Sequence, residues 1–377
     1  RSVMSVALQP TDMPDRHESV GVSRRCFFGA VGGVGLAALA GCLDGSFAPI
    51  SGDDGSAITS APPMVDRSLP EAYATDELDE ASFSGGPGKD GIPSIDEPEF
   101  ATADDPPARL SPDDPVFGVE LNGDAKAYPQ YVLVWHEIVN DVVGDEAVAV
   151  TYCPLTGTTQ GFYRGASEFG VSGQLVNSNL IMYDRGSDTW WSQVLARGIR
   201  GPHEGAYLSE FQVTWTTWRR WRDRHPETTV LTENTGHVRD YGGDPYGQYN
   251  PRTGYYDDES LLFDPLASDD RFPPKKIIVG ARSADGALAV PKSTLRERGV
   301  VVGSVGDVPY VTAYDEGLDT GYVYRNPDDR SVAFDGSALI LDGDEYEADG
   351  LPLERVIGVD AMWFAWYGFY PSTEVHG

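Results

Sequence analysis

Two stretches of this chain, far apart in sequence, carry the same short blocks in the same order, and that repeat limits the folds open to it. Val116-Phe117-Gly118-Val119 followed by Asp124-Ala125-Lys126-Ala127-Tyr128-Pro129 is echoed by Ile277-Ile278-Val279-Gly280 followed by Gly286-Ala287-Leu288-Ala289-Val290-Pro291. Val143-Gly144-Asp145 matches Val305-Gly306-Asp307, Tyr152 matches Tyr314, and Phe162-Tyr163-Arg164 matches Val323-Tyr324-Arg325 after a one-residue slip. The stretches also end alike, since Trp218, Trp221, Pro226 and Thr228 have the spacing of Trp363, Trp366, Pro371 and Thr373. Blocks recurring in order indicate a duplicated unit, so the fold must be one that a chain can build twice and pack against itself. In this alignment Cys153 faces Asp315 and His136 faces Arg298. A function that depends on the thiol or the imidazole therefore belongs to the first copy.

The local patterns inside each copy are strand patterns. Val116 to Glu120 and Ala125 to Tyr128 flank Asn122-Gly123, a strong hairpin signal. Ala147 to Tyr152 reads as a buried strand running into Cys153, and further strands are expected at Thr159 to Arg164, Leu180 to Tyr183, Ala206 to Val213, Ile277 to Val279 and Val308 to Tyr314. Helices are few. Thr214 can cap one from Trp215 to about Arg224, stopped by His225-Pro226, with a counterpart from Ala361 to Phe369. The expected class is α+β, predominantly antiparallel β with a few short helices, built from two related halves.

The N-terminal region carries different signals. Arg24-Arg25 opens a twin-arginine pattern, an apolar run follows from Phe27 to Gly41, and Leu39-Ala40-Gly41-Cys42 has the form of a lipobox. The apolar run, roughly 15 residues, is short of the ~20 needed to span a bilayer, which favours a signal peptide over a membrane helix. The expectation is export by the twin-arginine route, lipidation at Cys42 and residence on the outer face of the cytoplasmic membrane, held there by the lipid. The domain reading is then 1–42 signal peptide, 43–90 flexible acidic tether, 91–250 first half with the Cys153 site, and 251–377 second, degenerate half packed with the first as one globular unit.

Charge narrows the partners. With 28 Lys and Arg against 59 Asp and Glu, the net charge is -31, spread in short patches such as Asp113-Asp114 and Asp257-Asp258-Glu259. A hydrated, acidic surface of this kind is the halophile type, keeping a chain soluble where salt screens other charge. It argues against a nucleic-acid partner.

Of three cysteines, Cys26 and Cys42 fall in the export segment, which leaves Cys153 without a disulfide partner. In Tyr152-Cys153-Pro154-Leu155-Thr156-Gly157 it sits where a strand gives way to a turn, and backbone donors of Leu155, Thr156 and Gly157 could stabilise a thiolate. His136, in Trp135-His136-Glu137, is the nearest histidine in sequence and the expected base. The opposite reading is a small buried cysteine that packs as a hydrophobe.

Gly91-Ile92-Pro93, the hairpin at Asn122-Gly123, Trp135-His136-Glu137 with Asn140-Asp141, Thr151 to Gly157, Asn177-Ser178-Asn179-Leu180, Met182-Tyr183-Asp184-Arg185, Trp191-Ser192-Gln193, His225-Pro226-Glu227-Thr228 and Trp363-Phe364-Ala365-Trp366 together resemble the family called domain of unknown function 3179, over residues 91 to 375. Members carrying Cys-Pro-Leu-Cys at this place, and selenoprotein members, imply thiol or selenol chemistry. Here Thr156 stands where the second cysteine would be, which removes a resolving thiol.

Three functional classes follow. In a thiol-dependent protein Cys153 is nucleophile or redox centre, His136 its base, Glu137 or Asp184 an orienter, with Thr156 beside them. In a copper protein Cys153, His136, Met182 and His203 supply thiolate, imidazole and thioether ligands, without compact spacing. In a surface binding or scaffold module the many tryptophans and tyrosines line a pocket or fill the core.

Overall fold

The computed structural model describes residues 61–377. The twin-arginine segment, Cys26, Cys42 and the first part of the expected tether lie outside the described residues. The described chain is mostly antiparallel sheet with a few short helices.

Asn122 and Gly123 both take positive φ (51° and 82°), the conformation a two-residue hairpin turn requires. They join Pro115–Leu121 to Asp124–Pro129. Pro115–Leu121 pairs antiparallel with Thr214–Thr217 on its other side, and Asp124–Pro129 pairs parallel with Thr229–Leu231. Helix Trp218–Arg224 makes the crossover between the two outer strands. A short helix, Gln130–Leu133, then leads into the meander Ile138–Val143, Glu146–Cys153 and Thr158–Tyr163, with Glu210–Phe211 on the last edge.

The same strand order occurs in the C-terminal part. Ile277–Ser283 and Gly286–Pro291 form the hairpin, flanked antiparallel by Gly358–Met362 and parallel by Glu374–Val375, with helix Trp363–Phe369 between those outer strands. Helix Lys292–Arg298 leads into Val300–Val305, Val308–Asp315 and Thr320–Arg325, with Glu354–Val356 on the last edge. The packing matches in detail. Trp221 Nε1 donates to Thr228 Oγ1 at 2.9 Å, and Trp366 Nε1 donates to Thr373 Oγ1 at 3.1 Å. A methyl at Gly118 would lie 2.2 Å from the Trp221 ring, and one at Gly280 would lie 2.5 Å from that of Trp366, so each indole is seated on a glycine. Register places Val116 beside Pro129 and Ile278 beside Pro291, so the first repeat block slides by one residue from the alignment read in the sequence.

Between Tyr163 and Glu210 the N-terminal set carries a further sheet. Phe169–Val176, Asn179–Asp184, Trp190–Ser192, Arg197–Arg200 and Tyr207–Leu208 pair in succession. At the matching place the C-terminal set has three short strands, Val332–Phe334, Leu339–Leu341 and Asp344–Tyr346.

Several expectations need correction. Residues 61–90 are not all tether: Met64–Val65 and Phe83–Ser84 form the two edges of the added sheet, and helix Thr75–Glu80 buries Leu78 in the core. One apolar anchor per turn leaves no periodic signal, and the polar residues are held by ion pairs such as Arg200 with Asp79 and Arg197 with Glu71. The helix expected from Trp215 begins only at Trp218, because Thr214–Thr217 pairs with Pro115–Leu121, and its counterpart begins at Trp363 rather than Ala361. Ala206 to Val213 is two short strands in different sheets. Helix Lys292–Arg298 is absent from the sequence reading.

Candidate functional site

Cys153 ends strand Glu146–Cys153 opposite Thr158, and Gly157, at φ 56°, closes the turn between them. The thiol is buried among Ile138, Phe162, Leu180, Met182 and Trp191 and donates to the Ser178 carbonyl at 3.7 Å. Burial, then the charge of Glu137, raises its pKa to about 11, against hydrogen bonding from Thr156 and Leu180 that favours the thiolate. The resting group is a neutral thiol.

Thr156 is also fully buried. Its hydroxyl meets that of Thr158 at 2.9 Å and accepts from Asn179 Nδ2 at 2.9 Å. Asn179 Nδ2 also donates to Gln193 Oε1 at 2.8 Å, and Gln193 Nε2 to Thr151 Oγ1 at 2.8 Å. This buried polar network holds the Cys153 turn against the added sheet. Asn177 donates to the Ala365 carbonyl and accepts from the Leu266 amide.

His136, the expected base, has both ring nitrogens engaged by groups other than the thiol. Its Nδ1 lies 2.8 Å from the Pro93 carbonyl, which can only accept, so the proton sits on Nδ1 and Nε2 accepts from the Tyr241 hydroxyl at 2.7 Å. Burial lowers its pKa to about 4, so the ring is neutral with both nitrogens engaged.

Glu137 is the residue the sequence reading undervalued. Its carboxyl is buried, its pKa is raised by burial to about 8, and its charge acts on Cys153 and on Tyr246. Among the described residues the carboxyl has no hydrogen-bond partner. Glu137 also holds φ 59°, a left-handed conformation that costs a residue with a side chain ~1–2 kcal/mol. Gly299 occupies the matching place in the C-terminal set, at φ 72°. The Glu137 amide donates to the Leu133 carbonyl at 2.7 Å and its carbonyl accepts from Tyr152 at 2.7 Å; Gly299 does the same with Leu295 and Tyr314, each at 2.8 Å. The backbone therefore suits glycine, and the fold does not call for a carboxyl here. A Glu in an alignment facing Gly was the available sequence signal.

Among the remaining candidates, Asp184 and His203 are held by other partners and Met182 packs beside the thiol. Asp184 is buried, with its carboxylate accepting from Ser167, Ser187, Thr189 and the Trp191 indole, which makes it the organiser of its own turn. Met182 shares the apolar cluster of Cys153. His203 stacks on Trp191, with ring centres 6.5 Å apart. Among the described residues no group of three or more His, Cys, Asp or Glu side chains could hold a metal ion.

A cover over the thiol was also missed. Between Leu231 and Ile277 the only helix or strand is the single turn Gly254–Tyr256, yet Tyr246, Tyr255 and Phe263 pack on the Cys153 cluster. The Tyr255 hydroxyl donates to the Leu155 carbonyl at 2.7 Å, inside the Cys153 turn. Long segments without regular structure that pack over a site commonly act as lids.

A family model described as "Protein of unknown function (DUF3179)" matches residues 89–373. No curated protein and no solved structure matches the chain.

Proposed function

The chain belongs to the DUF3179 family of proteins of unknown function, and from that premise we propose that it is a thiol-dependent protein in which Cys153 is nucleophile or redox centre and Glu137, not His136, exchanges its proton. The observation that carries this reading is the nearly buried carboxyl, 7 % exposed and without a hydrogen-bond partner among the described residues, at a left-handed position where the other strand set has Gly299. Perturbed, strained ionisable groups of this sort gather at functional sites. A second observation supports a charge at Cys153. Asp315, at the matching place, accepts the Leu318 amide at 2.9 Å and pairs with Arg224 at 2.8 Å, so the equivalent turn holds an anion. Near neutral pH the resting pair is protonated on both members, so Glu137 first releases its own proton to solvent and then accepts that of Cys153, and both steps require the Tyr246–Tyr255 cover to open. No second thiol lies in the described residues, so no disulfide can form within them.

The scaffold reading is internal duplication, supported by the shared strand order and the two Trp-Thr hydrogen bonds. The export and anchoring reading rests on Arg24, Arg25 and Cys42. Replacing Cys42 with Ser is expected to release the protein from the membrane fraction or leave an uncleaved precursor; unchanged fractionation and mass would count against lipidation.

Alkylation of the folded protein by iodoacetamide, followed against pH, tests the pair. Glu137→Gln is expected to lower the pH midpoint of the reaction, because the charge that opposes thiolate formation is gone. Superimposable profiles would remove Glu137 from the centre. A thiol that reacts only on denaturation, from pH 6 to 10, would leave core packing as its role.

A further inference from the structure

We infer that a cleft between the two strand sets binds a small organic anion through a carboxylate or phosphoryl group. The cleft encloses about 400 Å³ and is walled by Trp215 and Thr216 from one set, Lys276 and Lys292 from the other, and Tyr249 and Arg252 from the segment joining them. Its charge runs against that of the protein. Arg252, Lys276, Lys292 and Arg296 face it, opposed by Asp319 and Asp360, in a chain with 59 acidic residues, 28 basic residues and only five lysines.

The two carboxylates are already spoken for. Lys292 Nζ lies 2.8 Å from Asp360, and Arg296 holds Asp319 with two contacts of 2.7 Å. Arg252 and Lys276 have no ion-pair partner among the described residues. Arg252 is nonetheless fixed in place. It donates to the Lys275 carbonyl and to the Tyr249 hydroxyl, both at 3.0 Å, with its guanidinium 4.9 Å from the Tyr249 ring centre. A braced guanidinium beside a free ammonium is the arrangement suited to carboxylate and phosphoryl oxygens.

Thr216 supplies an independent pointer. Its side chain is buried in the cleft wall, 4 % exposed, and its hydroxyl has no hydrogen-bond partner. Buried hydroxyls in folded proteins are nearly always paired, and a ligand oxygen in the cleft would pair this one. The Trp215 and Tyr249 rings, 4.7 Å apart, give the ligand an apolar wall, so an organic anion fits better than a bare inorganic one.

The test is a titration of the full chain with sodium benzoate and, separately, inorganic phosphate at constant ionic strength, read by calorimetry. Saturable binding of either probe is expected, benzoate reporting a carboxylate ligand and phosphate a phosphoryl one. Arg252→Gln should weaken it about tenfold or more and Thr216→Val several-fold, while Arg298→Gln, an exposed cation outside the cleft, leaves it unchanged. If Arg252→Gln does not fold, Lys276→Gln takes its place, with folding of each variant confirmed by its unfolding transition. Failure of both probes to saturate, or saturation untouched by the Arg252 or Lys276 variant and by Thr216→Val, overturns the inference. Because the cleft is built from other side chains, Cys153→Ser is expected to bind as the parent does.

Discussion

Glu137→Gln is expected to abolish the loss of stability that the parent protein suffers as pH rises toward 8. The carboxyl has a folded-state pKa raised from 4.5 to about 8 by burial, so the folded state holds this proton more tightly than the unfolded chain does. Its stabilising contribution is then complete below 4.5 and is lost progressively as pH rises through about 8. The full difference corresponds to about 5 kcal/mol, of which about 3 kcal/mol is gone by pH 7. His136 acts in the opposite sense. Its pKa is lowered to about 4, so the stability it provides is present above 6.5 and lost as pH falls through about 4. The two neighbours offset each other between about 4.5 and 6.5, and above that interval Glu137 alone dictates the slope. Urea unfolding at intervals from pH 4.5 to 8.5 gives the comparison. Parent and variant curves should diverge progressively from about pH 4.5 upward, the variant gaining; parallel curves would mean that the carboxyl reaches water and that its role in the thiol centre falls with it. The variant thus gains stability as the proposed centre loses its proton acceptor, the expected exchange when a functional group is held in an unfavourable place.

The parts of this fold legible in sequence are those fixed by local chemistry. Asn122-Gly123 dictates a hairpin through its positive φ, and the run into Cys153 can only be a buried strand. The repeated Trp and Thr spacing is legible too, because each indole has to reach one hydroxyl across a helix end. What is not legible depends on partners distant in sequence. Trp215 and Thr216 have neighbours that suggest a helix, but pairing with Phe117 and Val116 makes them strand. Residues near Leu78 look like tether until the added sheet supplies the surface they cover. The surroundings divide in the same way: the strand end and turn at Cys153 are readable, whereas what packs around His136 and Glu137 is not. Adjacent residues at a strand entry can face different surroundings. His136 meets Pro93 and Tyr241, while Glu137 meets the thiol.

Arg282→Met is expected to destabilise the protein by about 2–3 kcal/mol, because it removes one of the two guanidinium partners of a buried carboxylate at the seam between the two strand sets. Arg282, in Ile277–Ser283, lies 2.7 Å from Glu210, in Glu210–Phe211, and both side chains are 2 % exposed or less. Glu210 also accepts from Gln160 Nε2 at 2.8 Å and pairs with Arg67, so one carboxylate ties the meander, the C-terminal hairpin and the segment before residue 90. Methionine keeps much of the arginine stem's volume, so the cost measured is chiefly electrostatic. Converting the carboxylate to an amide in the double variant Arg282→Met with Glu210→Gln removes the under-compensated charge while keeping an acceptor for Gln160, and should recover about 1 kcal/mol of the loss. Strict additivity of the two single variants in a double-mutant cycle would show that the pair is not coupled. The shape of the unfolding curve carries the remaining information. If the two sets are one cooperative unit, Arg282→Met shifts a single transition; if the seam is held mainly by this pair, the transition splits in two.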